Sequence, residues 1–308
     1  MALAIIPSIL DATYTAFNTR FQQAFQRTNS WADQLSTLIP SSTGSETYAW
    51  LKEIPGFREW VGPRVAHELV SRGQVLANKD YELTVKIPRN AFEDETLGQF
   101  NHNFEMMGLA AKKWPDKVLA TAIKAGTTAL AFDGQPFFHA SHPVDMDNPG
   151  KGTYSNLKTG FGLSADNYGT ARAEFRSRLN DAGEPMGIRP SLLVVPPQLE
   201  DTARRILESD MLARSLSNGA AADNNIHKNT AKLLVIEELA DQPAAWYLLA
   251  NDMPIRPFIW QLRKAPQMVS MTAATDPNVF FQKEFIYGAD SRGNAGYSLP
   301  FLAMRCEG

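Results

Sequence analysis

The sequence predicts a mixed α+β fold. Three observations support this prediction: a helical spacing of apolar residues at positions 10–25, a period-two strand pattern at positions 81–87, and an alternation of helical and strand signals after position 164. The chain has 308 residues, of which 44% are hydrophobic and 20% are charged, a composition typical of globular proteins. We therefore expect one large domain or two modest ones.

The composition excludes several classes of protein. The 30 basic and 33 acidic residues nearly cancel, so no general positive field attracts nucleic acid. Cys306 is the only cysteine, which excludes a disulfide framework and a cysteine-based zinc cage within one chain. The apolar run at the start is interrupted by Pro7 and contains no basic residue. We therefore expect neither a signal peptide nor a membrane span, and we expect assembly in the cytoplasm.

An aromatic stripe marks the first predicted helix. Its apolar residues recur every three or four positions and are Leu10, Tyr14, Phe17, Phe21 and Phe25. A polar linker at 40–45 follows instead of a second helix, so the stripe needs a partner surface from elsewhere. The periodicity is equally consistent with two partners, a neighbouring molecule or the chain's own core.

Residues 46–90 predict a long two-stranded excursion. The first part contains aromatic residues interrupted by Pro55-Gly56 and Gly62-Pro63, which is not a helical pattern. Apolar and polar residues then alternate from Tyr81 to Ile87, which indicates a strand with one wet face. An isolated hairpin is marginally stable in water, so we expect the excursion to lie on another surface.

Residues 91–126 predict a long helical zone. Glu93, Asp94 and Glu95 suit the positive end of a helix dipole, so we interpret them as a helix start rather than as catalytic carboxylates. Trp114-Pro115 predicts a kink or a restart, because proline removes a backbone donor and clashes with the preceding turn. The predicted buried stripe of this zone consists of Phe100, Phe104, Met107 and Ala111.

The remainder of the chain alternates between loops, helices and strands. Residues 133–162 are rich in Gly, Pro, Asn and Ser and predict an ordered loop region. Ser164 predicts the cap of a helix that extends to Leu179, and Pro197 predicts the start of another helix. The predicted strands are 191–195, 232–238, 245–250, 258–262, 280–287 and 297–304, with a glycine-rich hairpin turn at 288–296.

One segment is a candidate for chemistry. His139 and His142, with nearby Asp133 and Asp145, could ligate a metal or act as general bases. Their spacing lacks the helical His-Glu-x-x-His arrangement and a third ligand at a diagnostic distance. Phosphate-binding loops and a nucleophile elbow are also absent from the sequence. We expect no catalytic, metal or cofactor residue, and a metal-dependent hydrolase using the two histidines is the alternative.

Several short motifs occur in a characteristic order along the chain. They are Ser41-Ser42-Thr43, Glu59-Trp60-Val61-Gly62, Phe92-Glu93-Asp94-Glu95, the string at 132–144, Arg256-Pro257-Phe258-Ile259 and Phe285-Ile286-Tyr287-Gly288. In these motifs the chain resembles the Mu-like bacteriophage major head subunit family. The resemblance covers residues 40–144 and 256–297, and it is weakest between residues 165 and 250.

This resemblance implies the HK97-like capsid fold of tailed phages. Five parts would follow in order: an N-terminal arm at 1–45, an extended β-hairpin loop at 46–90, a peripheral domain with a long spine helix at 91–164, an axial domain at 165–255, and strands that return to the peripheral domain at 256–308. Members of the family form pentamers and hexamers in an icosahedral shell, and contacts of this kind close into rings.

The resemblance also implies a function and a set of partners. The chain would enclose the double-stranded DNA genome of a tailed, Mu-like phage, contacting it non-specifically, and would reside in the virion after assembly in the host cytoplasm. A separate scaffolding protein, a protease and a portal at one vertex would take part, and a decoration protein is a further candidate partner. An encapsulin-like nanocompartment shell, which encloses protein cargo, is the alternative within the same fold.

Contacts between subunits are expected from the arm and the loop. In the loop, charged side chains would fix the register of neighbouring subunits, and the alternative is that they are simply solvated. The expected contact residues are Phe17, Phe21, Phe25, Arg58, Glu59, Arg64 and Lys79.

Overall fold

The computed structural model describes residues 7–48, 73–94, 98–180, 183–216 and 219–308, and these form a mixed α+β structure, as predicted. The helices are α1 Pro7–Arg27, α2 Ala32–Leu35, α3 Arg89–Asp94, α4 Gln99–Lys112, α5 Trp114–Ala125, α6 Ala165–Arg176, α7 Glu200–Glu208 and α8 Pro277–Gln282. The strands are β1 Ser36–Pro40, β2 Ser45–Tyr48, β3 Gln74–Ala77, β4 Lys79–Pro88, β5 His142–Pro143, β6 Thr153–Tyr154, β7 Leu157–Lys158, β8 Leu192–Val195, β9 Met211–Leu216, β10 Gly219–Asn224, β11 Lys232–Val235, β12 Ala245–Leu249, β13 Phe258–Met271, β14 Glu284–Tyr297 and β15 Ala303–Glu307.

Two sheets organise the described residues. The first has the strand order β1-β13-β14-β4, and its two central strands pair antiparallel over most of their length. The second has the order β11-β8-β12-β15-β7. Three two-stranded sheets, β2-β3, β5-β6 and β9-β10, complete the set among these residues.

The five-stranded sheet is covered on both faces. Leu192 and Val194 of β8 belong to one hydrophobic cluster, and Leu193 and Val195 belong to another. Successive side chains of a strand point to opposite faces, so β8 contributes to a core on each side. This double burial explains why the sequence of β8 is a continuous apolar run rather than an alternating one.

The aromatic stripe of α1 packs inside its own chain. Phe17 and Phe21 are fully buried, and the Phe17 ring stacks on Phe104 of α4 at a centroid distance of 3.9 Å. The two helices cross closely at Gly108, where a Cβ atom would lie 2.2 Å from the carbonyl oxygen of Phe21. Of the two partners that the periodicity allowed, the structure therefore shows the chain's own core.

The long helical zone begins differently from the prediction. Glu93 and Asp94 lie in the last turn of the short helix α3, and α4 begins only at Gln99, so their interpretation as the start of the long helix was wrong. Glu93 instead pairs with Arg89 one turn earlier, with 2.9 Å between Oε1 and Nε. The restart at Trp114-Pro115 is confirmed, since α4 ends at Lys112 and α5 begins at Trp114.

The predicted glycine-rich turn at 288–296 is wrong, because β14 runs through it without interruption. At Gly293 a Cβ atom would lie 2.5 Å from the carbonyl oxygen of Gln261, and at Gly296 it would lie 2.9 Å from Leu76 Cδ2. These glycines thus allow close approach inside a strand instead of reversing the chain. The prediction of a strand from position 280 is also corrected, since residues 280–282 belong to α8.

The later elements mostly follow their local signals. Ser164 caps α6, its Oγ accepting a hydrogen bond from the Asn167 amide at 3.1 Å, as the sequence predicts. The helix is shorter than predicted, because it ends at Arg176 and leaves Leu179 exposed. The predicted strand at 297–304 is divided by a turn at Pro300, after which β15 starts at Ala303.

Candidate assembly surfaces

The excursion predicted at 46–90 leaves and rejoins the body at one place. Strands β2 and β3 pair antiparallel, so that Tyr48 lies opposite Gln74 at the outer end of the pair. The intervening residues 49–72, which include Arg58, Glu59 and Arg64, lie outside the described residues. What the structure describes is therefore the base of the predicted loop, and the chemistry of that base determines where the loop starts.

A single carboxylate organises the approach to this base. Glu46 Oε1 accepts hydrogen bonds from the backbone amides of Ser42 and Thr43, at 2.8 and 3.1 Å, and from Ser41 Oγ at 2.9 Å. These bonds lower the pKa of the Glu46 carboxyl to about 2, and the bond from the Ser42 amide makes the largest contribution. The ionised carboxylate thus holds the turn at 41–46 in one conformation.

A buried glutamine ties the hairpin base to the large sheet. Gln261 of β13 is fully buried, and its Nε2 donates to the Leu76 carbonyl at 3.1 Å and to Asn78 Oδ1 at 2.7 Å. Its Oε1 accepts a hydrogen bond from the hydroxyl of Tyr48 at 2.7 Å. Because a buried amide without partners is costly, this fully bonded side chain fixes the hairpin base relative to β13.

The Asn78 side chain continues the same network. Its Nδ2 donates to Ser41 Oγ at 2.8 Å and to the Thr43 carbonyl at 2.9 Å, on the turn that Glu46 holds. Sequence reasoning missed Glu46, Asn78 and Gln261. The partners of Asn78 and Gln261 are distant along the chain, whereas those of Glu46 lie within five positions. A local signal existed only for Glu46, which follows Ser and Thr residues at a spacing that resembles a capping box.

The predicted contact residues fall into different environments. Lys79 is exposed at the start of β4, directly beside the hairpin base, where it is accessible to another molecule. Phe17 and Phe21 lie in the chain's own core, which leaves them no surface for a neighbour in this fold. Phe25 packs at the edge of that core, with Lys112 Nζ 5.8 Å from its ring centroid.

The histidine pair belongs to a local hydrogen-bond network with a structural role. His142 is fully buried, with Nδ1 2.5 Å from Asp133 Oδ2 and Nε2 3.1 Å from Asn156 Oδ1. Asn156 Nδ2 donates to the carbonyls of Phe137 and Pro300, so its Oδ1 is the acceptor and His142 Nε2 carries a proton. Both ring nitrogens are thus engaged within the protein.

The same segment offers no metal centre among the described residues, where no group of three His, Cys, Asp or Glu side chains is placed to hold an ion. His139 Nδ1 accepts a hydrogen bond from the Ser141 amide at 3.2 Å, and its ring centroid lies 6.0 Å from that of His142. The arrangement joins the loop at 133–162 to the turn at Pro300 and thereby stabilises the fold.

None of the helices in the described ranges has the length and apolar character needed to cross a bilayer. Cys306 is buried, and this burial raises the pKa of its thiol to about 12, so the thiolate that would act as a nucleophile does not form near neutral pH.

Comparisons with known proteins identify relatives along nearly the whole chain. A family model described as the Mu-like prophage major head subunit gpT matches residues 10–163, 158–239 and 237–308. The major capsid protein of Escherichia phage Mu is 27% identical over 306 residues, which are 99% of this chain and 76% of that protein. The Mu-like prophage FluMu major head subunit of Haemophilus influenzae is 26% identical over 304 residues, 99% of this chain and 75% of that protein.

Solved structures agree with these sequence relatives. The procapsid of bacteriophage JBD30 aligns with 99% of this chain and 76% of its own, at 29% identity and a TM-score of 0.63. The encapsulin of Synechococcus elongatus aligns with 90% of this chain at a TM-score of 0.50, but it is only 8% identical. The likeness to the encapsulin therefore shows the shared fold alone.

The Glu46 carboxylate can be tested by the substitution Glu46→Gln. The neutral amide keeps the size of the side chain but weakens the charge-assisted bonds, so the amides of Ser42 and Thr43 should exchange hydrogen faster at pH 7. In the unchanged protein the folded-state pKa is depressed. The amides of Ser42 and Thr43 should therefore stay protected while the pH falls through the ordinary pKa range of a glutamate. They should lose this protection only as the pH falls through about 2, where the Glu46 carboxylate becomes protonated.

The exchange rates are measured by NMR on the unassembled subunit. The exposed Glu237→Gln variant is the matched control, because it removes a carboxylate that lies between β11 and β12 and forms no hydrogen bond to the turn. Unchanged exchange at Ser42 and Thr43 in Glu46→Gln would show that the carboxylate does not hold this turn.

The structural role of the two histidines can be tested by two alanine variants. His142→Ala leaves the Asp133 carboxylate in a buried site without its ring partner and should lower the free energy of unfolding by roughly 3–5 kcal/mol. His139→Ala removes one weaker bond at a partly exposed site and should cost about 1 kcal/mol. Urea unfolding of the subunits measures both values. Equal losses, or zinc bound stoichiometrically by the unchanged protein and lost in both variants, would contradict a structural role.

Proposed function

The chain belongs to the Mu-like prophage major head subunit family, and on that premise we propose how it builds a phage head. It is a major capsid protein, a structural component of the virion rather than an enzyme. The observation that carries this conclusion is the family match, which runs from residue 10 to residue 308, together with the fold shared with a phage procapsid. We propose that the shell is icosahedral and encloses the double-stranded DNA of a tailed, Mu-like phage.

The parts of the chain are proposed to divide this task. Residues 1–45 form the arm, 46–90 the extended loop, 91–164 the peripheral domain with its spine helix, 165–255 the axial domain, and 256–308 the returning strands. Helices α4 and α5, which follow one another across the break at Lys113, support the spine assignment. The returning segment serves both sheets, because β13 and β14 join the four-stranded sheet while β15 joins the five-stranded one.

The loop is proposed to be the main segment that extends toward a neighbouring subunit and contacts it. Its described base is held rigidly by Gln261 and Glu46, which would fix the direction in which residues 49–72 leave the body. Exposed Lys79 lies beside that base and remains a proposed contact, as do Arg58, Glu59 and Arg64. Charges at such contacts set register and discourage wrong partners more than they add affinity.

Further partners are proposed from the resemblance. Pentamers and hexamers of this chain would form the shell, a separate scaffolding protein and a protease would act during assembly, and a portal would occupy one vertex. With 30 basic against 33 acidic residues, contact with the packaged DNA would be local and non-specific. A decoration protein on the outer surface is a further proposed partner.

Assembly by the chain itself is the direct test of the proposed function. The protein should form capsomers, tubes or shells when it is expressed with its scaffolding protein, and electron microscopy of the purified material shows which of these form. Heterologous contacts that close into rings would produce pentamers and hexamers. A compact monomer that persists under all assembly conditions would contradict the proposal.

A further inference from the structure

Two phenylalanine rings project into solvent at one end of the four-stranded sheet. Phe280 and Phe281 of α8 are 72% and 78% exposed, with ring centroids 4.9 Å apart and ring planes nearly perpendicular. The short helix joins the end of β13 to the start of β14, and Asn278 Nδ2 secures it by donating to the carbonyls of Met271 and Glu284 at 2.9 and 2.8 Å. The two rings thus form a firmly held apolar tip, the kind of exposed patch that marks a protein contact.

An apolar cavity lies farther along the same sheet. It has a volume of about 170 Å³ and lies between the junction of α4 and α5 and the strands β4 and β14. Its apolar lining includes Tyr81, Leu83, Ala110, Trp114 and Pro266. An apolar cavity of roughly 150 Å³ is known to bind benzene, so this volume suits one aromatic ring. Because β4 is an edge strand and Leu83 is exposed, the cavity opens to the surface.

The tip of one chain cannot reach its own cavity. Strand β14 begins directly after the tip, and the cavity is lined by Asp290 and Ser291 of that strand. Extended chain rises about 3.3 Å per residue, which places the cavity roughly 20 Å from the tip on the same paired strand. Only another molecule can therefore bring a tip to this cavity, and copies of a capsid protein necessarily contact one another.

The charges beside the two features are complementary. Lys283 follows the tip, is exposed, and forms no ion pair among the residues that the structure describes. The rim of the cavity carries Glu82 and Asp290 on its strand side and Lys117 on its helix side. Asp290 already pairs with Lys264, whereas Glu82 is exposed and forms no ion pair with a described residue, so the strand side of the rim is the side that suits Lys283. An ammonium group at the tip and a carboxylate at the rim would orient the insertion of the tip.

We propose that one ring of the Phe280–Phe281 tip of one subunit inserts into the cavity beneath Tyr81 and Leu83 of a neighbouring copy, with Lys283 facing Glu82. This inference rests on the proposed function, since it names one contact of the shell. Each copy carries the tip and the cavity at different places, so the contact is heterologous and continues from copy to copy.

Engineered disulfides test this contact. Cys306 is the only native cysteine and is buried, so the background of cross-linking is low. In shells of the double variant Phe281→Cys/Leu83→Cys, mild oxidation should give a ladder of covalent oligomers beyond the dimer on a non-reducing gel, and reductant should remove it. Each single variant should give no ladder. The control Phe281→Cys/Leu38→Cys should also give none, because Leu38 is equally apolar and 61% exposed but lies on β1, at the opposite edge of the same sheet.

Two results would overturn the contact. They are assembled shells of Phe281→Cys/Leu83→Cys without a ladder, and dimers from Phe281→Cys alone, which would mean that tips meet tips. Electron microscopy of the control variant separates this outcome from failure of the proposed function, because its shells remain visible when only the contact is wrong.

A charge exchange covers the case in which the cysteine pair does not assemble. Lys283→Glu and Glu82→Lys should each lower the yield of shells severalfold, and the double variant should restore most of it. A double variant no better than the single ones would overturn the proposal.

Discussion

The antiparallel pairing of β13 with β14 joins two hydrophobic cores that would otherwise be separate. At one end of the pair, Phe258 and Tyr297 belong to the cluster beneath the five-stranded sheet. At the other end, Met268 and Tyr287 belong to the cluster that α1 and α4 cover. Close approach at Gly293 lets the pairing continue between them. We call this pair of strands the β13–β14 ribbon. It determines the positions of the first helix, the hairpin base and the aromatic tip.

The β13–β14 ribbon also positions the surfaces that we propose as contacts between copies of this head subunit. Gln261 lies on β13, and within the described residues its side chain bonds only to the hairpin of β2 and β3 and to Asn78, so this hairpin is coupled to the core. The tip at α8 is simply the far end of the same ribbon. A rigid frame with contact segments at its ends suits a protein that must repeat one geometry throughout a shell, because a fixed frame reduces the ordering that each contact requires.

Local signals in the sequence predicted part of this architecture. The strand at 81–87, the break at Trp114-Pro115 and the cap at Ser164 depend on neighbouring residues, and each was found where it was predicted. The continuous strand through 288–296 could not be predicted, because glycine signals a turn unless a distant backbone approaches it. The Gln261 network was also missed because it depends on distant residues: the partners of Gln261 lie more than 180 positions away along the chain. Periodicity likewise described the stripe of α1 but not the surface that covers it.

We expect the frame built by β13 and β14 to form before assembly, and assembly to cover only the segments at its ends. Hydrogen exchange measured by mass spectrometry on the free subunit and on assembled shells tests this claim directly. Peptides of β13 and β14 should be protected to the same extent in both states, because their bonds are internal. Peptides of α8 and of the edge strand β4 should gain protection on assembly. Unprotected β13 and β14 in the free subunit, or a gain spread evenly over both sheets, would contradict the account.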